Sequence, residues 1–242
     1  MPKTPTRFPN GVTTAAKTNA LGKFGLPDPT QWHTFFDDFD TFTAADWTIT
    51  EIGAGGTEAL TDADGGVLLL TSDGLDNDGV QIQKVGESFL PTSGKQLFFK
   101  ARFTLSKITQ SDYLIGLAVL DTTLLGAVGG DGVTDGMFFS KEDGDTNIDF
   151  HCQKNTTTGQ IDATAVGTQP TAATYVELAF YFDGIRYIQL FIDGVHKSTV
   201  DLTATLSTYL PDTELTPSVA YLNGEAGAAT LSLDYLFVAQ ER

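Results

Sequence analysis

The chain has 242 residues, 41% of them hydrophobic and 19% charged, with 17 Phe and 25 Gly, a composition that fills a sizeable core and supplies many tight turns, so disorder throughout is excluded. Its net charge of −17, from 31 acidic and 14 basic side chains, argues against direct contact with nucleic-acid phosphates or anionic membranes. A single cysteine, Cys152, excludes an intrachain disulfide and a multi-thiolate zinc site, and reads as a small buried thiol.

Residues 1–34 differ in kind from the rest. They hold five of the nine prolines (Pro2, Pro5, Pro9, Pro27 and Pro29) and show no sustained periodicity. Lys3, Arg7, Lys17 and Lys23 against Asp28 give this segment a net charge of +3, which leaves −20 on the remainder. Two readings fit: a loose terminal tail, or an arm that orders on a partner, using the apolar residues Phe8, Val12, Leu21, Phe24 and Leu26 as anchors. The segment lacks the apolar stretch of a secretory signal, and no run in the chain reaches membrane-span length, so synthesis in a cytoplasm is expected.

From Phe35 to Arg242 short apolar runs are broken every 8–12 residues by Gly or Asp-Gly, which predicts one all-β domain over 35–242. Strands are expected at Trp47–Ile52, Val67–Thr71, Gly79–Gln83, Gln96–Leu105, Tyr113–Leu120, Met137–Ser140 and Asn147–Gln153, then at Leu215–Leu222 and Ala229–Val238. In Leu97–Leu105 the alternate residues Leu97, Phe99, Ala101, Phe103 and Leu105 face a core, while Lys100, Arg102 and Thr104 face water. Residues 121–135, with four glycines, read as a long loop with room for a single helical turn at Thr122–Gly126. The stretch Tyr175–Val200 is a three-stranded meander with turns at Asp183-Gly184 and Asp193-Gly194, since Gly accepts the positive φ that tight hairpins require. Antiparallel strands in this number fit two packed sheets.

The residues that carry chemistry are sparse. Three acidic clusters (Asp62 and Asp64; Asp73, Asp76, Asn77 and Asp78; Asp143, Asp145, Asn147 and Asp149) offer oxygen donors of the kind calcium takes. The third departs from an EF-hand loop at Ile148 and Lys154, and Asp-Gly is ordinary hairpin chemistry, so solvated turns are expected and no metal or other cofactor is assigned. Glycoside hydrolysis needs two carboxyl groups flanking the scissile bond; the nearest linear candidate, Glu142-Asp143-Gly144-Asp145, sits in a turn, and carboxylates drawn from separate strands leave no linear motif. There is no G-x-S-x-G motif, and His33, His151 and His196 have no partner signature nearby, so they read as surface or internally satisfied residues and the chain as a non-enzyme.

The stretches Phe35-Phe36-Asp37-Asp38-Phe39-Asp40, Ala45-Asp46-Trp47, Asp64-Gly65-Gly66-Val67-Leu68-Leu69-Leu70, Phe191-Ile192-Asp193-Gly194 and Leu233-Asp234-Tyr235-Leu236-Phe237-Val238 together resemble the strands of concanavalin A-like (LamG-type) jelly rolls. That resemblance implies a two-sheet antiparallel jelly-roll sandwich with an extended N-terminal arm. Joined to Arg7-Phe8-Pro9-Asn10-Gly11-Val12, the chain is similar to capsid decoration (cement) proteins of tailed bacteriophages. This implies a structural virion protein on the outer capsid surface, a homo-oligomer bound to the major capsid protein, with Arg7, Phe8, Pro9, Asn10, Lys17, Lys23 and Phe24 as the arm's contacts. The alternative is a carbohydrate-binding, lectin-like module for host-surface attachment, with a glycan as partner and loops such as 73–78 or 127–135 as its site.

Overall fold

The computed structural model describes residues 29–53, 55–63, 65–125, 132–155, 160–202 and 206–242. The arm contacts expected from the sequence, Arg7 to Phe24, lie outside them. The described residues form fifteen strands: β1 (Trp32–Asp37), β2 (Trp47–Ile52), β3 (Thr57–Thr61), β4 (Val67–Thr71), β5 (Gly79–Lys84), β6 (Leu97–Leu105), β7 (Ser111–Ala118), β8 (Gly136–Lys141), β9 (Asn147–Gln153), β10 (Gln160–Thr168), β11 (Val176–Phe182), β12 (Tyr187–Ile192), β13 (Val195–Asp201), β14 (Thr216–Asn223) and β15 (Thr230–Glu241). Among the described residues one 3-10 turn, Ala44–Asp46, and one short helix, Leu206–Tyr209, complete the regular structure. Strand β1 starts at Trp32, three residues before the compositional boundary at 34/35.

The strands form a two-sheet antiparallel jelly-roll sandwich. A seven-stranded sheet runs β10-β9-β8-β7-β14-β5-β2, and an eight-stranded sheet runs β13-β12-β11-β6-β15-β4-β3 with β1 also paired to β15. Alternation along β6 and β12 sends one face of each into the space between the sheets, although Thr104, expected to face water, is buried near the end of β6. There Phe99 stacks on Phe180 with ring centroids 5.2 Å apart, and Phe150 and Phe139 close around the same ring at 5.4 and 6.3 Å.

The two expected Asp-Gly turns differ in construction. Asp193 and Gly194 both have positive φ, 51° and 71°, and form the tight two-residue turn between β12 and β13. The link from β11 to β12 is longer: the Asp183 carboxylate accepts the amides of Ile185, Arg186 and Tyr187 at 2.7–3.0 Å. Those amides hold the Asp183 carboxyl below the ordinary carboxylate range despite partial desolvation.

A second apolar cluster sits on the opposite, outward face of the seven-stranded sheet, where Leu114, Ala118, Phe138, Ala220 and Leu222 meet Leu124, Leu125 and Val133 of the loop between β7 and β8. No helical turn forms over the described residues 122–125. Side-chain amides from the sheet pin this loop in place. Gln81 donates to the Asp121 carbonyl (2.6 Å) and accepts the Leu124 amide (3.1 Å), while Gln83 donates to the Val119 carbonyl (3.0 Å) and accepts the Asp121 amide (2.9 Å). Gln153 donates to the Val133 carbonyl at the loop's other end. Gly116 permits the packing, because a Cβ there would lie 2.4 Å from the Phe138 Cα.

Candidate functional site

The outward face of the seven-stranded sheet is therefore divided. Its middle lies beneath the loop, and its β8–β10 side carries polar side chains. Alternation turns Phe139, Phe150 and Cys152 into the core and Phe138, Ser140, Asp149, His151 and Asp162 outward. Across this side runs a hydrogen-bonded chain: Ser140 Oγ lies 2.7 Å from His151 Nε2, and His151 Nδ1 lies 2.7 Å from Asp162 Oδ1. In the neutral tautomer with its proton on Nδ1, the imidazole donates to Asp162 and accepts the Ser140 hydroxyl, so each group fixes the next.

Backbone register makes this chain. Phe138 is opposite His151 between β8 and β9, and His151 is opposite Asp162 between β9 and β10, so the imidazole has a partner strand on each side. Residues 140, 151 and 162 are spaced by the same 11-residue hairpin repeat. The imidazole also stacks on Phe138, with centroids 5.1 Å apart and planes at 29°.

A distortion of β10 adds a second carboxylate. The register jumps between Ile148 and Phe150, and Ala165 in the bulged strand adopts φ 51°, a left-handed conformation uncommon for a residue with a Cβ. Its amide donates to Asp149 Oδ1 at 2.5 Å. Backbone distortion held in place by a carboxylate on a polar face is the kind of feature that collects at functional sites. Asp149 is two residues from His151 and Asp162 is directly across from it, so the two acids are diagonal neighbours, about 7–8 Å apart at the backbone.

The serine is not armed as a nucleophile. Ser140 is 1% exposed, and its backbone is paired on both sides, to Leu114 and to Asp149, so its peptide group is committed to the sheet. The arrangement instead presents two carboxylates on the outward face, beside an imidazole that is mostly covered and backed by an aromatic ring. At the opposite margin of the same face, Thr48, Leu120, Asp121 and Thr122 line a cavity of ≈ 370 Å³.

The other residues singled out in the sequence fall elsewhere. His33 stacks on Phe89 at 4.7 Å, and burial together with the Arg242 charge pushes its pKa down. His196 pairs with Thr199 at 2.9 Å. Cys152 is buried against the Tyr209 carbonyl, and desolvation pushes its thiol up. Asp145 closes a turn by accepting the amides of Thr146 and Asn147, which hold its carboxyl down, and Asp73 accepts the Leu75 amide in the same manner. Among the described residues no group of three or more His, Cys, Asp or Glu side chains is placed to share a metal ion.

The two-sheet architecture and its strand order define a concanavalin A-like jelly roll. No protein-family model matches the chain, and no curated protein matches it by sequence. Solved structures do match. An endo-1,3-β-glucanase from Streptomyces sioyaensis superposes with a TM-score of 0.61 at 15% identity, over 88% of this chain and 97% of its own. A glycoside hydrolase family 16 endo-glucanase from Bacteroides ovatus gives 0.58 at 13% identity, covering 84% of this chain and 98% of its own. A protein of unknown function from Shewanella oneidensis MR-1 gives 0.58 at 14% identity, covering 87% of each chain.

At these identities the likeness establishes the fold. It also corrects the non-enzyme expectation, because that expectation rested on the absence of a linear motif, whereas several solved structures sharing this architecture are endo-glucanases. The physical reason is that a sheet assembles a site from residues on different strands. Here Ser140, His151 and Asp162 meet with no sequence adjacency.

Proposed function

We propose that the protein recognises a carbohydrate on the outward face of the seven-stranded sheet, with Asp149, His151 and Asp162 as the polar groups that meet it. The observation that carries this reading is the Ser140–His151–Asp162 hydrogen-bonded chain, which orients the imidazole beside two carboxylates. Sugar hydroxyls donate, and the Asp149 and Asp162 carboxylates offer the matching acceptors, the second of them held in place by the imidazole. The glucan-acting proteins that share the fold support the same ligand class.

The test is calorimetric titration with β-1,3- and mixed-linkage gluco-oligosaccharides, run beside a reducing-end release assay on the polymers. Asp162→Asn, His151→Gln and Asp149→Asn are each expected to weaken binding at least tenfold, and to lower any release in parallel. Wild-type affinity in all three variants, or no saccharide bound by the wild type, would refute the reading.

A second reading concerns the arm. The contrast between a segment of charge +3 and a body of −20 supports attachment of residues 1–34 to an oppositely charged partner, for which the outer surface of a bacteriophage capsid, with the major capsid protein as contact and this chain as a homo-oligomer, is the proposed case. Mass spectrometry of purified virions tests it, and absence of the chain from the particle rejects it.

A further inference from the structure

We propose that the outward face of the eight-stranded sheet is a platform for an uncharged polysaccharide, an inference that rests on the carbohydrate reading above and adds a second contact surface to it. Alternation along four strands sends Phe36 (β1), Tyr235 and Phe237 (β15), Phe98 (β6) and Tyr181 (β11) to this face. Register places them in a row. Phe36 is opposite Phe237, and Phe98 is opposite Tyr181. Phe98 also faces Ala239, whose small side chain lets the Phe98 and Phe237 rings approach to 5.9 Å. Phe36 lies 6.4 Å from both Phe237 and Tyr235, and it is 59% exposed. The result is a row of rings that crosses the strands.

Beside Tyr235 the charges are matched to one another. Lys100 pairs with Glu177 at 2.8 Å, Arg102 pairs with Asp234, and Tyr235 donates its hydroxyl to Glu177. Arg102 also lies over the Tyr175 ring, 4.1 Å from its centroid. A ligand therefore meets a cluster of aromatic rings, tilted against one another by 41–62°, bordered by ion pairs. On a chain of net charge −17, an anionic polymer is repelled and a neutral one is not. Aromatic rings on a sheet surface pack against the C–H faces of sugar rings, while the bordering polar groups meet hydroxyls. An extended neutral polysaccharide is the occupant that fits both the charge and the shape.

The experiment is co-sedimentation of the full chain with insoluble β-1,3-glucan and with microcrystalline cellulose, alongside titration with soluble gluco-oligosaccharides. The variants are Phe36→Ala, Phe36→Ala with Phe237→Ala, and Phe36→Trp, each checked for an unchanged thermal midpoint. We expect the double variant to lose retention on the insoluble polymer at least tenfold, Phe36→Trp to keep it, and soluble binding to stay unchanged in all. Full retention by a folded double variant overturns the platform. So does wild-type protein that binds oligosaccharide but no insoluble polymer, an outcome that leaves the seven-stranded-sheet reading standing. Loss of both binding modes in the wild type rejects the two together. Concentration-dependent self-association that disappears in the double variant assigns the face to a second copy and overturns the polysaccharide proposal.

Discussion

The Lys141 ammonium sits 2.5 Å from the carbonyl oxygen of Ser111, and it also donates to the Glu142 carbonyl at 2.8 Å. The residue is wholly buried at the end of β8, and desolvation, opposed by the charges of Asp112, Asp143, Asp145 and Glu142, brings its pKa down from 10.5 to about 8. Between those values the unfolded chain keeps a proton that the folded chain has lost. Unfolding then takes up a proton, and stability rises with pH across that window. Above about pH 10 the effect reverses, because burial raises the phenols of Tyr113 and Tyr221 and unfolding releases their protons. Urea midpoints measured from pH 7 to 11 should climb and then fall, and Lys141→Met should flatten the climb. A wild-type profile that is level from 8 to 10 would contradict this assignment.

The Gln83 side chain, itself buried, joins three groups at once: the Val119 carbonyl, the Asp121 amide and the Ser218 hydroxyl, the last at 2.9 Å. Replacing it with Leu takes this partner from the Val119 carbonyl and the Asp121 amide beneath the loop, while the Ser218 hydroxyl keeps its bond to the Thr216 carbonyl. Each unsatisfied buried group costs about 1–3 kcal/mol, so Gln83→Leu should destabilise the fold by at least about 2 kcal/mol. Amide exchange should accelerate at Asp121 and Leu124, whose protection depends on the glutamines, while the β11–β12 amides change little in comparison. Equal acceleration throughout would mean the glutamines stabilise the domain as a whole and do not hold the loop.

These cases show why the fold was more legible in the sequence than the site. Strands β6, β11 and β12 read directly because each buries one face and wets the other. Strands β3 and β10 escaped notice. Both are edge strands, and sequences such as Thr57-Glu58-Ala59-Leu60-Thr61 and Gln160–Thr168 lack a continuous apolar face because an edge packs less of itself against the core. With β10 missing, Asp162 had no assigned neighbour and His151 looked isolated. The 11-residue spacing of Ser140, His151 and Asp162 carries meaning only after two successive hairpins are placed in register. Gln81 and Gln83 were hidden for a related reason. On an alternating strand they look like ordinary outward residues, and nothing local says that a distant loop will cover them.

Glu177 ties together the polar border of the eight-stranded sheet, accepting from Lys100 and from the Tyr235 hydroxyl. Desolvation pushes its carboxyl up, but the contacts with Lys100, Tyr235 and Arg102 outweigh it and leave the pKa below 4.5. The stabilisation is therefore complete above the unfolded value and is lost as pH falls through the lower, folded one. Glu177→Gln keeps the side-chain shape and removes the titration. The variant should be less stable than the wild type at pH 7, by an amount reduced by the solvent that reaches Lys100. The gap should narrow as pH falls below the ordinary glutamate value, as wild-type Glu177 becomes protonated and neutral like its replacement. Thermal midpoints of both proteins at pH 7, 5, 4 and 3 measure this convergence. A gap that stays constant down to pH 3 would show that the glutamate acts through shape and packing, with its charge contributing nothing to the border.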